Sequence, residues 1–170
     1  VDFTMLVTLG SLAQQTNNPT ERTMAEITWF LDYCATHPDA KIRYDASDMH
    51  LWTASDASYL SEPEAKSRAG AFFYLSNQSA HQPKNVLTTE TAPQNKPKPN
   101  GPVHVLAKIM TNVMTSAMAA EVGASYLAAR DACPIRTTLK EMGHPQSPTP
   151  LMEDNTAAVG LANGCTKHKR

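Results

Sequence analysis

Three acidic residues stand in distinctive surroundings: Asp56 in Ala54-Ser55-Asp56-Ala57-Ser58, Glu121 in Ala120-Glu121-Val122-Gly123-Ala124, and Asp154 in Met152-Glu153-Asp154-Asn155-Thr156. Carboxylates from separate elements are the hard oxygen ligands that a magnesium ion takes together with water and substrate phosphate. Two such ions held about 3.5–4 Å apart can clamp a phosphodiester, one beside the attacking water and the other beside the leaving oxygen. The chemistry open to these residues is metal-assisted phosphodiester hydrolysis, if the fold brings them to one spot. Each taken alone also has a structural role open to it, because 16 acidic residues in 170 put some at strand ends and helix starts by chance. Asp48 is the next acid to consider should Asp56 not be the ligand.

The elements that must carry these side chains follow from periodicity and capping. Residues 4–15 form a short helix, and Asn18-Pro19-Thr20-Glu21 starts a second, with Asn18 as cap, Pro19 at the first helical position and Glu21 reaching back. Met24, Ile27, Leu31 and Cys34 give that helix one apolar stripe, and Pro38 ends it near His37. From Lys41 the pattern changes to period two: Lys41–Tyr44 and His50–Ser58 read as strands of a hairpin around the turn composition Asp45-Ala46-Ser47-Asp48. Gly70–Ser76, with three aromatics, is a further β run, and Val103–Ile109 another. Between them, residues 77–101 carry four prolines among Gln, Asn, Thr and Lys and read as a flexible polar loop.

Thr115 or Ser116 caps a long helix bearing Glu121 in its first two turns, with a small-residue face at Ala117, Ala120, Ala124 and Ala128. Pro134 predicts a kink or break before the helix resumes to Met142 and ends at Gly143. After a proline-rich connection, Thr149–Glu153 reads as a short strand, and Asp154 or Asn155 caps a last helix reaching Asn163 and Gly164.

Composition narrows the classes. The chain has room for one domain and an extra element at one end. It is 41% hydrophobic and 18% charged, the latter below the roughly 25% of an average globular protein, and it reads as folded and soluble. No apolar run approaches the ~18–20 residues of a membrane-spanning helix, and the first ten residues lack a secretory signal. An intracellular location is the expectation. Cys34, Cys133 and Cys165 are too far apart for a disulfide framework or a zinc motif and read as buried thiols, and the six histidines supply no ligand pair. A formal charge of −1 does not announce a nucleic-acid binder. Carboxylates of a metal site count in that sum, however, and Lys167-His168-Lys169-Arg170 is a local basic cluster.

The order of elements, with Asp at the end of the first core strand, Glu on the first helix and Asp closing the fourth strand, resembles the ribonuclease H-like fold. Five segments carry the resemblance further: Asn18-Pro19-Thr20, Ser55-Asp56-Ala57-Ser58, Lys66-Ser67-Arg68-Ala69-Gly70-Ala71-Phe72-Phe73, Ala120-Glu121-Val122-Gly123-Ala124 and Asp154-Asn155-Thr156-Ala157. In that order and spacing they are similar to the ribonuclease H region of copia-type LTR-retrotransposon polyproteins, over nearly the whole chain.

That resemblance implies an α/β, ribonuclease H-like mixed sheet flanked by helices over residues 39–170, behind a two-helix lead-in (1–38) that is the end of the reverse transcriptase connection. It implies that Asp56, Glu121 and Asp154 are the catalytic, metal-binding carboxylates, using Mg2+ or Mn2+ and two ions if the site is complete. Lys66 and Arg68, in the turn before a strand, become candidates to touch a nucleic-acid backbone or to be simply solvated, and Asn155 either reaches the nucleic acid or caps its helix. The implied activity is hydrolysis of the RNA strand of RNA–DNA hybrids during reverse transcription, within a cytoplasmic retrotransposon particle and beside the reverse transcriptase of the same polyprotein, with no membrane.

Two departures qualify it. Ala119 stands where family members commonly carry a second Glu. The family also has a further Asp beyond the stretch matching Lys167–Arg170, so the expectation is a C-terminally truncated domain with one metal held poorly. Two rivals stay open. One is a transposase or integrase core, disfavoured because there the Glu comes last. The other is a non-catalytic, degenerate module that packs against a reverse transcriptase.

Overall fold

The computed structural model describes residues 2–77 and 98–164, in two compact units, Val1–Arg43 and Tyr44–Arg170. Most of the polar loop expected over 77–101, together with Cys165 and the basic cluster Lys167–Arg170, lies outside the described residues.

The first unit is a helical pair. A single 3-10 turn over Phe3–Met5 leads into α1 (Leu6–Gln14), and α2 runs over Glu21–Thr36. The cap of α2 is Thr20, not Asn18. Thr20 Oγ accepts from the Thr23 amide at 3.2 Å while Thr23 Oγ accepts from the Thr20 amide at 3.0 Å. That reciprocal pair satisfies two orphan donors at once, and the helix accordingly starts two residues later than Asn18 would place it. Gln15 ties the two helices, donating to Glu26 at 2.9 Å and accepting from the Thr23 hydroxyl at 2.6 Å. Before Pro38, the helix stops as the restricted backbone requires.

In the second unit, β1 (His50–Glu62) and β2 (Lys66–Ser76) form an antiparallel hairpin, with Asp56 opposite Gly70. The turn between them puts Glu64 and Ala65 at φ 60° and 55°, left-handed conformations that reverse the chain within three residues. Lys41–Tyr44, expected as the first arm of a hairpin, forms no strand. β2 pairs along one edge of β1, and on the other edge β4 (Leu151–Met152) lies in parallel beside Thr53 and Ala54. Tyr44 is held instead by its hydroxyl donating to the Pro102 carbonyl at 3.0 Å. β3 (Pro102–Ile109) pairs antiparallel to β2, completing a mixed four-stranded sheet of order β3-β2-β1-β4. Proline at the head of an edge strand costs no ladder bond.

Across the sheet lies α3 (Ala117–Glu141), capped by Ser116 Oγ accepting from the Ala119 amide at 3.1 Å. Ala120, Ala124, Ala128 and Ala132 are 0–6% exposed, a row at four-residue steps that lets the helix approach β1 and β2 closely. Leu51, Ala71, Phe73 and Leu139 close one core cluster around Ala128 and Ala132, and Ala69 and Met110 close a second around Ala124. Pro134 neither breaks the helix nor divides it, because it sits on the exposed face, where solvent can satisfy the carbonyl its missing N–H leaves free. Cys133 is exposed rather than buried, since its neighbour Ala132 takes the sheet-facing position.

The proline-rich segment 144–150 is bolted down. Arg136 donates to the carbonyl of Ser147 at 2.6 Å, to that of Gln146 at 3.3 Å and to the Thr149 hydroxyl. Gln146 in turn accepts from the Leu51 amide at 3.0 Å and donates to the Met49 carbonyl at 2.8 Å. These bonds bring β4 into register beside β1 and α4 (Thr156–Ala162) up to α3. Replacing Arg136 by Met will therefore lower the unfolding free energy by about 2–3 kcal/mol, the usual worth of hydrogen bonds to a charged group. Urea denaturation reads this directly, and an unchanged midpoint would show that the strap holds without the guanidinium.

Candidate metal centre

Asp56 sits on β1, exposed, with its Oδ1 accepting from the Ala57 amide at 2.8 Å. Glu121 lies in the second turn of α3, only 8% exposed, on the helix flank beside the buried alanines. Asp154 follows β4 and is exposed. Hairpin, helix and bolted strap thus deliver one acid each, and a carboxylate oxygen from each of the three lies within 4.8 Å of the other two. Among the described residues this is the one such group of three.

The electrostatics are those of acids forced together. Burial pushes the Glu121 carboxyl up to about 7, reinforced by the negative charges of Glu153, Asp56 and Asp154. Its Oε2 is fully buried and receives no hydrogen bond. A buried charged oxygen without a donor is costly, and Glu153, Asp56 and Asp154 add like charge around it. A divalent cation meets that deficit directly: hard oxygen donors, three negative charges and an orphaned lone pair fit Mg2+ or Mn2+. The two exposed members leave an open side from which water and a phosphate oxygen can complete the coordination.

The expected nucleic-acid contacts fare unequally. Lys66 and Arg68 are not turn residues but the opening of β2. Lys66 donates to Glu64 at 2.6 Å and stays partly exposed. Arg68 is buried, its Nε donating to Glu62 at 2.6 Å with both side chains nearly inaccessible, so it is neither solvated nor free to meet a ligand. The register opposite Ser58 turns it under the extended end of β1. Asn155 Oδ1 accepts from the amides of Ala157 and Ala158 at 3.0 Å, which is the capping role.

One acid escaped the sequence reading. Glu153 Oε2 accepts from the hydroxyls of Ser55 at 3.1 Å and Ser125 at 2.9 Å, and its Oε1 from the amides of Asp154 at 3.1 Å and Asn155 at 3.4 Å. The available signal was adjacency: Ser55 precedes Asp56, Ser125 follows Glu121 by one helical turn, and Glu153 precedes Asp154. No protein-family model, curated protein or solved structure matches the chain.

Proposed function

We propose that the second unit is a ribonuclease H-like module that hydrolyses the RNA strand of RNA–DNA hybrids with divalent metal ions, as part of a copia-type retrotransposon's reverse transcription. The observation that carries this reading is the convergence of Asp56, Glu121 and Asp154 around a buried carboxylate oxygen that has no donor. A mixed sheet in the order β3-β2-β1-β4 with the central strand bearing the first acid supports it.

Asp56, Glu121 and Asp154 would hold the metal, whose contribution when bound is to lower the pKa of a water and to neutralise charge developing on phosphate oxygens. Glu121 serves from a fixed, dehydrated position, and the exposed Asp56 and Asp154 face the substrate side. No side chain acts as a nucleophile. Recognition rests on duplex shape and the 2′-hydroxyl, which only the RNA strand offers. Lys66, half exposed at the start of β2, is the candidate for a backbone phosphate; Arg68 braces the hairpin instead. On α2, Met24 and Leu31, which share one helix face, are both more than half exposed, a small apolar strip that a neighbouring domain could cover. Tethering to a polymerase already holding the hybrid offsets the modest net charge. Among the described residues no helix is long and apolar enough to cross a membrane.

A second reading, a non-catalytic module packing against a reverse transcriptase, is favoured by one observation, that three rather than four carboxylates converge among the described residues. Magnesium-dependent cleavage of an end-labelled RNA–DNA hybrid separates the two. The wild type is expected to cut the RNA strand alone and Asp56→Asn to be silent. A folded wild type that cuts nothing in Mg2+ or Mn2+ would overturn hydrolysis in favour of the second reading, and equal cutting by Asp56→Asn would move the site elsewhere, Asp48 first.

A further inference from the structure

We propose that Glu153 is a positioning residue, a carboxylate brace that locks the three metal-binding acids to one another from behind; the inference rests on the metal site proposed above. Its four hydrogen bonds to hydroxyls and amides each land on or beside a residue that carries a ligand, and its carboxyl also meets that of Glu121. Through the Ser55 hydroxyl, 98 positions away in sequence, it holds the strand residue immediately before Asp56. Through the Ser125 hydroxyl, 28 positions away, it holds the helix one turn beyond Glu121, where residues four apart lie one above the other. Through the amides of Asp154 and Asn155 it folds the end of β4 onto itself and sets the direction in which Asp154 points. A single side chain thus links β1, α3 and the joint between β4 and α4, the three pieces of backbone that carry the acids.

Geometry separates bracing from ligation. Both oxygens of Glu153 already accept two donors each. Glu153 also stands outside the set of three residues whose oxygens come within 4.8 Å of one another. The brace has an electrostatic cost, since it adds a negative charge beside Glu121 where a neutral amide would repel less. What the carboxylate offers in return is acceptor capacity: two oxygens that take two hydroxyl and two amide donors at once. Ser55 is only 8% exposed and its hydroxyl also lies 3.2 Å from that of Ser125, so removing the Glu153 acceptor leaves the two serines bonded to each other and no longer tied to the end of β4.

Manganese binding, followed by the EPR signal of free Mn2+, tests the brace in wild type, Glu153→Gln, Glu153→Ala, Ser125→Ala and Asp56→Asn, each first checked for cooperative melting. Glu153→Ala is expected to weaken binding by about 10–100-fold, the range for residues that orient metal ligands. Ser125→Ala, which leaves the carboxylate in place and favours the helix, should weaken it by about fivefold, one ordinary hydrogen bond. Glu153→Gln should restore affinity to within about threefold of wild type, because its carbonyl still accepts the two amides while its NH2 can donate to the serine hydroxyls. Loss in Glu153→Gln as deep as in Asp56→Asn would overturn the brace and make Glu153 a direct ligand. Unchanged affinity in both Glu153→Ala and Ser125→Ala would overturn it as well, with the metal site intact. A wild type whose binding does not depend on Asp56 would overturn the metal site itself, and the brace with it.

Discussion

Replacing Glu121 by Gln will stabilise the metal-free protein and at the same time destroy its affinity for divalent ions. The carboxyl titrates at about 7 in the folded state against an ordinary 4.5, burial being the larger cause and the charges of Glu153, Asp56 and Asp154 the rest. Between those two values the folded protein binds a proton that the unfolded chain has released, so stability falls as pH rises from about 4.5 and the loss is complete once pH exceeds the folded value. At 1.36 kcal/mol per unit the full loss is about 2–4 kcal/mol. Gln carries no charge to desolvate, and its amide can donate toward Glu153, so the variant escapes that slope. Chemical denaturation in EDTA at pH 5 and pH 8.5 should show the wild type losing about 2–4 kcal/mol more than the variant. Parallel behaviour across that range would mean that Glu121 is not strained. Divalent affinity moves the other way: a ligand should matter more than the roughly 10–100-fold of a group that merely orients one. Glu121 is thus a cost to the fold that a bound divalent ion would relieve, and added Mg2+ should restore wild-type stability at high pH while leaving Glu121→Gln unchanged.

Phe73→Ala will cost the fold about 3–5 kcal/mol, as expected for a fully buried aromatic. Phe73 has no exposed surface and sits among Leu51, Ala71, Ala128, Ala132 and Leu139, with its ring 4.9 Å from that of His104. Ala128 and Ala132, which face the ring, are too short to refill the void, so only a rearrangement of Leu51, Ile135 or Leu139 could shrink it. Set against a total stability of roughly 5–15 kcal/mol, the variant should be near its unfolding threshold at 37 °C. Phe73→Leu retains most of the volume and should lose far less. The cluster of three acids should survive in whatever fraction stays folded, because Phe73 pairs with Thr53, three positions along β1 from Asp56. Manganese affinity measured at 10 °C in stabilising osmolyte checks that; a parallel collapse of affinity would show that the core and the site move as one unit.

Local chemistry made much of this architecture legible. Pro38 ending a helix, the aromatic run before Ser76 and the alanine row of α3 act through near neighbours and are revealed by pattern alone. Pattern narrows the caps only to Thr115 or Ser116 and Asp154 or Asn155, of which the fold uses Ser116 and Asn155. Misreadings arose wherever a distant partner competed. Lys41–Tyr44 has the alternation of a strand, but the neighbours of β1 in the sheet are β2 and β4, and no local rule shows that Leu151 and Met152 come to lie beside Thr53 and Ala54. Arg68 has the composition of a solvated turn residue and is buried because β2 begins before it and Glu62 meets it there.

The same division holds at the site. By itself the sequence determined which acids were available and in what order, since residue type and the elements bearing Asp56, Glu121 and Asp154 follow from short-range pattern. Only the tertiary structure decided that they converge, that Glu121 is dehydrated while its two companions are not, and that Glu153 links their backbones through serines 98 and 28 positions away. The physical reason is that dehydration and like-charge repulsion depend on distances in space, and those are set by strand register, a parallel β4 and the Arg136 strap rather than by any run of neighbouring residues.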